Sequence, residues 1–375
     1  MRVLIAGGGT GGHFYPAMSV IEELRAWKPD VKVGYVGTRS GIEARVLPSH
    51  PSVRFFPIHA VGLAGARSLH RLRAWILLLY SFLESLLILA RFRPEIVIGV
   101  GGYSSFPPVF LAALLGRFLR IRTLIHEQNA IPGLANRRLA GYVDGVLLAY
   151  PEARRHFAHA RRVAVTGNPV RRELLLARRS DAAYRMFGLD PSRRTVLVFG
   201  GSLGSSQLVD SILAAKESLA RTDSLQVLLV TGGAADEERI RSELHDAGVR
   251  NVVVRHYIDR MGEAFAVADL VVSRAGATTL AEITACGKAS LVVPWSGAAD
   301  NHQWENARAL RSIEGCTLVD ERDIVSRGLV HVIQDLVADE EALALLARNA
   351  WRSGRRNARA LILGEIKGLM RGAGA

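Results

Sequence analysis

Cysteine is scarce in this sequence of 375 residues, which contains only Cys286 and Cys316, thirty positions apart. Disulfide-stapled domains and zinc sites need paired or clustered cysteines, so this spacing argues against both classes of protein. Reduced thiols in a cytosolic protein are the simplest interpretation. The first residues run from Met1 through a short apolar segment into glycines, unlike the regions of a cleaved export signal. We therefore expect that the protein is not exported by that route.

Motifs for several ligand classes are also missing. The phosphate-binding pattern G-x-x-x-x-G-K-[ST] does not occur, because Gly287 and Lys288 are followed by Ala289. The sequence therefore does not fit a P-loop nucleotide-binding protein. No acidic pair of the Asp-x-Asp type calls for a metal, and no nucleic-acid-binding motif or interleaved aromatic pattern is present.

Positive charge is concentrated in the first part of the chain. Residues 1–166 contain 21 Lys and Arg against 9 Asp and Glu, whereas residues 167–375 contain 27 against 26. The formal charge of +13 therefore divides into +12 and +1. A basic domain joined to a neutral one predicts that the first part alone meets a polyanion, either nucleic acid or an anionic membrane. Without a nucleic-acid motif, the membrane is the favoured partner.

Short apolar or β-branched runs alternate with stretches long enough for helices, which predicts an α/β fold with doubly wound parallel sheets. The pattern restarts at Thr195, so we predict two Rossmann-like domains facing across a cleft. An Asn-Pro turn within 166–171 marks their junction. The domains are then 1–167 and 168–348, with a C-terminal helix of about 349–375 packing back. The predicted strands are 2–6, 31–37, 53–58, 96–100, 121–125, 145–149, 163–166, 195–199, 226–231, 251–254, 269–273, 290–294 and 316–319.

Glycine-rich segments follow several of these strands. Residues 7–12 satisfy the dinucleotide pattern G-x-G-x-x-G, and residues 200–205 and 273–279 repeat the device in the second domain. Glycine lets backbone N–H groups approach an anion or a sugar oxygen at a helix N-terminus. The alternative is that each glycine segment is a tight strand-to-helix turn that binds no ligand. Such loops in two facing domains suit a diphosphate-linked donor in one domain and an acceptor in the other.

A nicotinamide enzyme is an alternative that the first loop leaves open. The second predicted strand ends at Val36-Gly37-Thr38-Arg39, without the acidic residue that holds the ribose hydroxyls of NAD. Arg39 would suit a 2′-phosphate, so an NADP-dependent oxidoreductase is disfavoured without being excluded. A basic, catalytically inert peripheral binding protein is the third hypothesis.

An ordered set of motifs resembles one family, the MurG-type UDP-N-acetylglucosamine:N-acetylmuramyl-(pentapeptide) pyrophosphoryl-undecaprenol N-acetylglucosamine transferases. Any one motif is modest, but their order over roughly residues 5–310 is specific. The chain departs from the family pattern at Leu203, Arg260 and Gly297. The matching segments are 8–13 (GGTGGH), 101–107 (GGYSSFP), 126–129 (HEQN), 167–171 (GNPVR), 200–202 (GGS), 273–277 (SRAGA) and 300–307 (DNHQWENA).

This resemblance implies a GT-B fold and an inverting transfer of N-acetylglucosamine from UDP-GlcNAc. The implied acceptor is the 4-hydroxyl of the MurNAc-pentapeptide on undecaprenyl diphosphate (lipid I), and the implied product is lipid II for peptidoglycan synthesis. It implies a peripheral enzyme on the cytoplasmic face of the plasma membrane, with UDP-GlcNAc, lipid I and an anionic membrane surface as partners. No cofactor, metal or nucleic acid is expected.

The same resemblance assigns donor-binding residues. Glu282 would accept hydrogen bonds from the ribose, the backbone of Ile258 would read the uracil, and Arg171 with Ser202 would hold the phosphates. Asn129 and Gln303 would bond the sugar hydroxyls and the acetamide. Acceptor-side residues would be Gly101, Gly102, Tyr103 and Ser105. The remaining donor-binding residues would be Thr10, Gly11, Gly12, Ala277, Thr278, Thr279, Leu280 and Ala281.

His13 follows the first glycine loop and is the candidate general base, because a histidine that titrates near neutrality can take a proton from the acceptor hydroxyl. A histidine bonded to a nearby backbone carbonyl is an equally good interpretation. Glu127 would serve as an alternative base or as an orienting residue.

Residues 74–90 form the most apolar stretch, which is marginal as a transmembrane helix at this length and with Glu84 inside. Read as a helix, it has two adjacent apolar stripes, and packing on a sheet needs only one. We expect the other to enter a membrane surface through Trp75, Leu79 and Phe82, with Arg71 and Arg73 meeting anionic headgroups. A helix buried on all sides is the alternative.

Overall fold

The computed structural model describes residues 1–60, 68–201, 204–234 and 236–371, without the side chains of 68–75, 234, 299 and 325–327. The chain divides into two compact units. The first unit is Met1–Pro169 with Asn357–Ala375, and the second unit is Val170–Arg356. The C-terminal return to the first unit therefore begins later than about 349, because the helix Glu340–Ser353 packs on the strand Ala289–Val292 of the second unit.

The first unit is built on a parallel sheet of order β3-β2-β1-β4-β5-β6-β7. Val3, Leu4 and Ile5 of the central strand are fully buried, as expected for a strand covered by helices on both faces. The strands are β1 (Arg2–Ala6), β2 (Lys32–Thr38), β3 (Val53–Ile58), β4 (Ile96–Gly99), β5 (Arg122–Glu127), β6 (Gly145–Leu148) and β7 (Val163–Val165).

Helices connect these strands and bury one face each against the sheet. Phe14, Ile21 and Leu24 of the first helix lie in the core beside β1 and β2. A 3-10 turn, Tyr103–Ser105, precedes the fourth helix. The helices are α1 (Gly11–Trp27), α2 (Ile42–Val46), α3 (Ser68–Phe92), α4 (Phe106–Leu119) and α5 (Leu134–Leu139).

The second unit repeats the plan with a parallel sheet of order β10-β9-β8-β11-β12-β13. Its strands are β8 (Arg194–Phe199), β9 (Leu225–Val230), β10 (Val252–Arg255), β11 (Leu270–Ser273), β12 (Ala289–Val292) and β13 (Thr317–Leu318). Its helices are α6 (Arg172–Leu176), α7 (Asp181–Phe187), α8 (Ser206–Ala214), α9 (Lys216–Ala220), α10 (Glu237–Asp246), α11 (Met261–Val267), α12 (Ala277–Cys286), α13 (His302–Arg311), α14 (Glu321–Arg327), α15 (Leu329–Ala338) and α16 (Glu340–Ser353).

The last helix, α17 (Ala358–Arg371), packs on α1 of the first unit. Ile362 and Ile366 join the core that contains Phe14. The guanidinium of Arg359 bridges two carboxylates of α1, lying 3.4 Å from Glu22 and 3.1 Å from Glu23. Burial and paired charge together tie this final segment to the first unit.

The predicted α/β class with two wound parallel sheets is confirmed by these strand orders. Each order reverses once, between β1 and β4 in the first unit and between β8 and β11 in the second. Loops that leave neighbouring strands in opposite directions open a crevice at the carboxyl edge of such a sheet, which is where ligands of open α/β sheets bind. The predicted glycine loops at 7–12, 200–205 and 273–279 leave strands at these two reversals.

Candidate active site

In the first unit, the loops after β1 and β4 pack backbone against backbone. The Gly8 N–H donates to the Gly101 carbonyl at 3.3 Å. A Cβ on Gly102 would lie 2.7 Å from the Gly8 carbonyl oxygen, and a Cβ on Gly7 would collide with Gly101. All four glycines have positive φ angles. This close approach explains the glycines at both loops without any ligand.

A buried carboxylate, Glu43, lies beneath the first glycine loop. Its Oε2 accepts from Gly9 N–H at 2.9 Å, and its Oε1 accepts from the Thr38 backbone N–H at 2.7 Å and hydroxyl at 2.9 Å. Glu43 is fully buried, and a Cβ on Gly8 would lie 2.6 Å from it. One N–H of the loop is thus directed to a protein carboxylate. Sequence reasoning missed Glu43 because no local pattern marks it.

His13 lies in the first turn of α1, beside the two glycine loops. Its Nδ1 is 3.1 Å from Gln128 Oε1. A Cβ on Gly101 would lie 2.9 Å from His13 Cε1, so glycine at this position leaves room for the ring. Of the other predicted residues in this loop, Thr10 is exposed at the N-cap of α1, and Gly11 and Gly12 begin the helix.

Glu127 ends β5 with its carboxylate directed into the following loop. It accepts from the backbone N–H of Asn129 at 2.9 Å, the backbone N–H of Gly133 at 3.1 Å and the side-chain amide of Asn136 at 2.8 Å. The Asn129 side-chain amide also donates to it, at 3.3 Å. Burial raises the pKa of Glu127, and these hydrogen bonds oppose the rise. A carboxylate used in this way fixes the loop 128–136 and the placement of Asn129.

The predicted acceptor-side residues form the turn after β4. Gly101 and Gly102 have φ angles of 87° and 80°. Ser105 is buried, and its hydroxyl donates to the Gly102 carbonyl at 2.7 Å, so it closes the turn. Tyr103 is exposed. Of this group, Tyr103 is the residue that the turn presents to solvent.

In the second unit, the structure joins Arg171 and Glu282, for which the resemblance implies separate roles. Arg171 Nε donates to Glu282 Oε1 at 3.0 Å, and Arg171 Nη2 lies at the same distance from that oxygen. Arg171 Nη1 also lies 3.2 Å from Glu173. Glu282 is buried, which raises its pKa, while Arg171 opposes the rise. The ion pair joins the middle of α12 to the residue that precedes α6.

The other predicted donor residues of this unit lie mostly in α12. Ala277, Leu280 and Glu282 are buried in α12, whereas Thr278, Thr279 and Ala281 are half-buried. The side chain of Ile258 packs in the core, which leaves its backbone as the group to read a base. Gln303 Oε1 accepts from Trp295 N–H at 2.9 Å. Ser202 lies outside the described residues.

Comparison with known proteins decides the family. A model of the glycosyltransferase family 28 N-terminal domain matches residues 3–148, and one of the C-terminal domain of the same family matches residues 195–362.

The chain belongs to glycosyltransferase family 28.

Two curated relatives of this family 28 chain carry the same name. Proteins of Desulforamulus reducens (38% identical, covering 95% of both chains) and of an Anaeromyxobacter species (42% identical, covering 94% of this chain and 90% of that one) are both named UDP-N-acetylglucosamine–N-acetylmuramyl-(pentapeptide) pyrophosphoryl-undecaprenol N-acetylglucosamine transferase. The crystal structure of Acinetobacter baumannii MurG superposes with a TM-score of 0.73, at 25% identity over 98% of this chain and 99% of that one. The predicted resemblance is confirmed, and the oxidoreductase alternative falls.

Arg274 of this family 28 chain makes contacts that the sequence did not reveal. It directly follows β11 and is almost fully buried, and its Nε donates to Ser205 Oγ at 3.1 Å. Its other nitrogens reach Gln207 Oε1 at 2.9 Å, the Val293 carbonyl at 3.3 Å and Glu321 at 2.6 Å. One guanidinium therefore joins the end of the second glycine loop, the start of α8 and the loop after β12.

Helix α3 of this family 28 chain turns apolar side chains outward. Ser81 and Ser85 are fully buried, whereas Leu79 is 65% and Leu83 60% exposed. Phe82, predicted to face a membrane, instead packs edge-on against Phe106 and Phe110 of α4. We call the outward set the α3 patch: Ile76, Leu79, Tyr80, Leu83, Leu86 and Leu87.

Neither a spanning helix nor a metal cluster is found in the parts of the chain that the structure describes. No helix there has the length and apolar character to cross a bilayer. Across the same residues, no group of three or more His, Cys, Asp or Glu side chains is placed to hold a metal ion. The side chains of Arg71, Arg73 and Trp75 lie outside this description.

Proposed function

We propose that this glycosyltransferase transfers N-acetylglucosamine from UDP-GlcNAc to the 4-hydroxyl of the MurNAc-pentapeptide of lipid I, which yields lipid II for peptidoglycan synthesis. The observation that carries the proposal is the near-full-length identity to relatives named for this transfer. The site geometry supports it, because each unit has a glycine-lined sheet reversal with polar groups beside it.

The chemistry is an inverting displacement at the anomeric carbon. The acceptor 4-oxygen forms a bond to that carbon while the bond to the UDP oxygen breaks, which converts an α-linked donor into a β-linked product. His13 takes the hydroxyl proton, and UDP leaves with the bonding electron pair. Glu127 acts as an orienting residue, since four N–H groups already donate to its buried carboxylate.

Residues of the second unit would bind the UDP-GlcNAc donor. Glu282 would accept from the ribose hydroxyls, and the Ile258 backbone would read the uracil. The Arg171 fork would meet phosphate oxygens and offset charge on departing UDP. Its ion pair with Glu282 holds the guanidinium in place. Ser202, Gln303 and the 277–281 segment would complete the donor contacts of this unit.

The acceptor is linked to a lipid, so the enzyme must bind at a membrane surface. We propose that the α3 patch is the part of the protein that contacts the membrane. Exposed Phe118 and Leu119 at the end of α4 lie between exposed Arg117 and Arg120. Apolar side chains flanked by arginines suit the boundary between acyl chains and anionic headgroups. The enzyme would then act as a peripheral protein on the cytoplasmic face of the plasma membrane, with Gly101, Gly102 and Tyr103 on the acceptor side.

A transfer assay tests the function directly. The full chain is incubated with UDP-GlcNAc labelled in the sugar and with lipid I in detergent, and label is measured in the extracted lipid. We expect labelled lipid II and one equivalent of UDP. Free labelled sugar without labelled lipid, or an altered sugar nucleotide, would contradict the proposal and indicate a hydrolase or an epimerase.

A further inference from the structure

Three side chains of the first unit form a buried hydrogen-bonded series that ends at His13. His126 Nε2 lies 3.0 Å from the Gly167 carbonyl, and His126 Nδ1 lies 3.1 Å from Gln128 Nε2. Gln128 Nε2 also donates to the Val100 carbonyl at 2.9 Å, and Gln128 Oε1 lies 3.1 Å from His13 Nδ1. His126 and Gln128 are both buried.

The far end of the series has a defined protonation state. A backbone carbonyl only accepts, so His126 Nε2 must carry the proton that it donates to Gly167. Burial lowers the pKa of His126 to about 4, so the ring is neutral at physiological pH. A neutral imidazole carries one N–H, which leaves His126 Nδ1 as an acceptor for the Gln128 amide.

The amide of Gln128 is oriented from two sides as a consequence. Its NH₂ group faces three acceptors, which are the Val100 carbonyl at 2.9 Å, His126 Nδ1 at 3.1 Å and the His126 carbonyl at 3.3 Å. The reversed amide would place its oxygen against these lone pairs. Gln128 Oε1 therefore faces His13 as an acceptor and selects the His13 tautomer with the proton on Nδ1.

From this geometry we infer that Gln128 is a positioning residue that fixes His13 as the tautomer with its lone pair on Nε2, and that His126 in turn fixes Gln128. The inference rests on the proposed function, in which His13 is the general base. A base needs a lone pair in a defined direction, and the ring is also held against Gly101.

Nitrogen NMR of the full chain tests the tautomer without any substrate. Histidine labelled with ¹⁵N is incorporated, and the His13 signals are assigned by their loss in His13→Asn. We expect a protonated Nδ1 and an unprotonated Nε2 in the neutral ring of the wild-type protein. A wild-type His13 with its proton on Nε2 would overturn the inference, whatever the variants do.

Variants of Gln128 separate positioning from simple stability. Gln128→Met removes the acceptor at similar volume, and we expect a mixture of His13 tautomers with kcat lowered roughly 100-fold and the KM for UDP-GlcNAc within about two-fold of wild type. Gln128→Glu keeps an oxygen toward His13 but replaces the NH₂ group by a second oxygen, which must be protonated to donate to the Val100 carbonyl or to His126 Nδ1. In that protonated form we expect the variant to retain the Nδ1–H tautomer.

Gln226→Met is the matched control, because Gln226 is also a buried glutamine but lies at the start of β9, bonded to Asp190 and Thr195. Its kcat should stay near that of wild type. An equal fall of kcat in Gln128→Met and Gln226→Met, with an unchanged His13 tautomer, would overturn the inference. Failure of the proposed function looks different: wild-type protein with the expected tautomer but no transfer to lipid I.

Discussion

The two units share a wound-sheet plan but distribute charge differently. Residues 1–166 carry +12, yet the groups at the sheet reversal of the first unit are a buried carboxylate, Glu43, and the neutral side chains of His126 and Gln128. The second unit belongs to the nearly neutral part of the chain, yet Arg171 before α6 and Arg274 after β11 are each paired with a carboxylate. The net charge of a domain therefore describes its surface and does not reveal which charged groups line its site. In the second unit those groups are arginines held by carboxylates.

The largest expected effect concerns Arg171, which is paired with Glu282 in the second unit. If Arg171 offsets charge on departing UDP, Arg171→Ala should lower kcat/KM for UDP-GlcNAc by roughly 100- to 1,000-fold. Arg172→Ala, which removes the exposed neighbouring arginine, is the matched control and should change it little. Steady-state kinetics with lipid I measure both. Equal losses of kcat/KM in the two variants would show that overall positive charge matters rather than the paired arginine. The distinction drawn above between surface charge and site charge would then be wrong.

The second expected effect concerns the neutral series of the first unit. The pKa of His126 falls from 6.5 to about 4 on folding, so the unfolded chain binds more protons between these values. The contribution of His126 to the free energy of unfolding is therefore fully present above pH 6.5 and is lost as the pH falls toward 4. The total loss is about 3 kcal/mol. Hydrogen exchange of β5 and β6 amides, corrected for intrinsic rates, should show this loss.

Two variants decide whether His126 is the cause. His126→Asn should flatten the pH dependence of protection in β5 and β6, whereas His245→Asn, at an exposed histidine of α10, should leave it unchanged. A slope that persists in His126→Asn would assign the pH dependence to another group.

The smallest expected effect concerns the α3 patch. Replacing Leu79 and Leu83 together by serine should weaken binding to anionic liposomes roughly 10-fold, because less apolar surface enters the acyl boundary. Activity on a short-chain, water-soluble acceptor should stay near wild type. Leu345→Ser, at an exposed leucine of the second unit, provides the control in sedimentation with liposomes. Parallel loss of binding and of soluble activity would mean that the patch is structural.

Local patterns predicted the strands and the glycine loops that follow them, because β-branched runs and glycines are recognised within a few residues. The same patterns could not choose between the two stripes of α3. There the small serines Ser81 and Ser85 pack inward and leave leucines outside, while Phe82 turns to α4. Hydrophobicity alone would have buried the leucines.

Contacts between distant residues were beyond sequence reasoning. Arg171 and Glu282 were each predicted at the donor site, but their ion pair spans 111 positions. Glu43, Arg274 and the orientation of Gln128 depend on loops that meet only in the folded sheet. A signal was present for Gln128, since HEQN stood out as a motif, but the motif does not say which amide atom faces His13.

The carboxylate of Glu43 also constrains how this sequence can change. A Cβ on Gly37 or on Gly41 would collide with Glu43, although neither glycine has a positive φ angle. Alanine at either position is therefore harmful while Glu43 is present and should become tolerable once its side chain is shortened. The effect of each substitution therefore depends on the order in which substitutions occur. Replacement of either glycine is tolerated only after the Glu43 side chain has been lost, and a glutamate at position 43 is no longer tolerated once the glycines have been replaced.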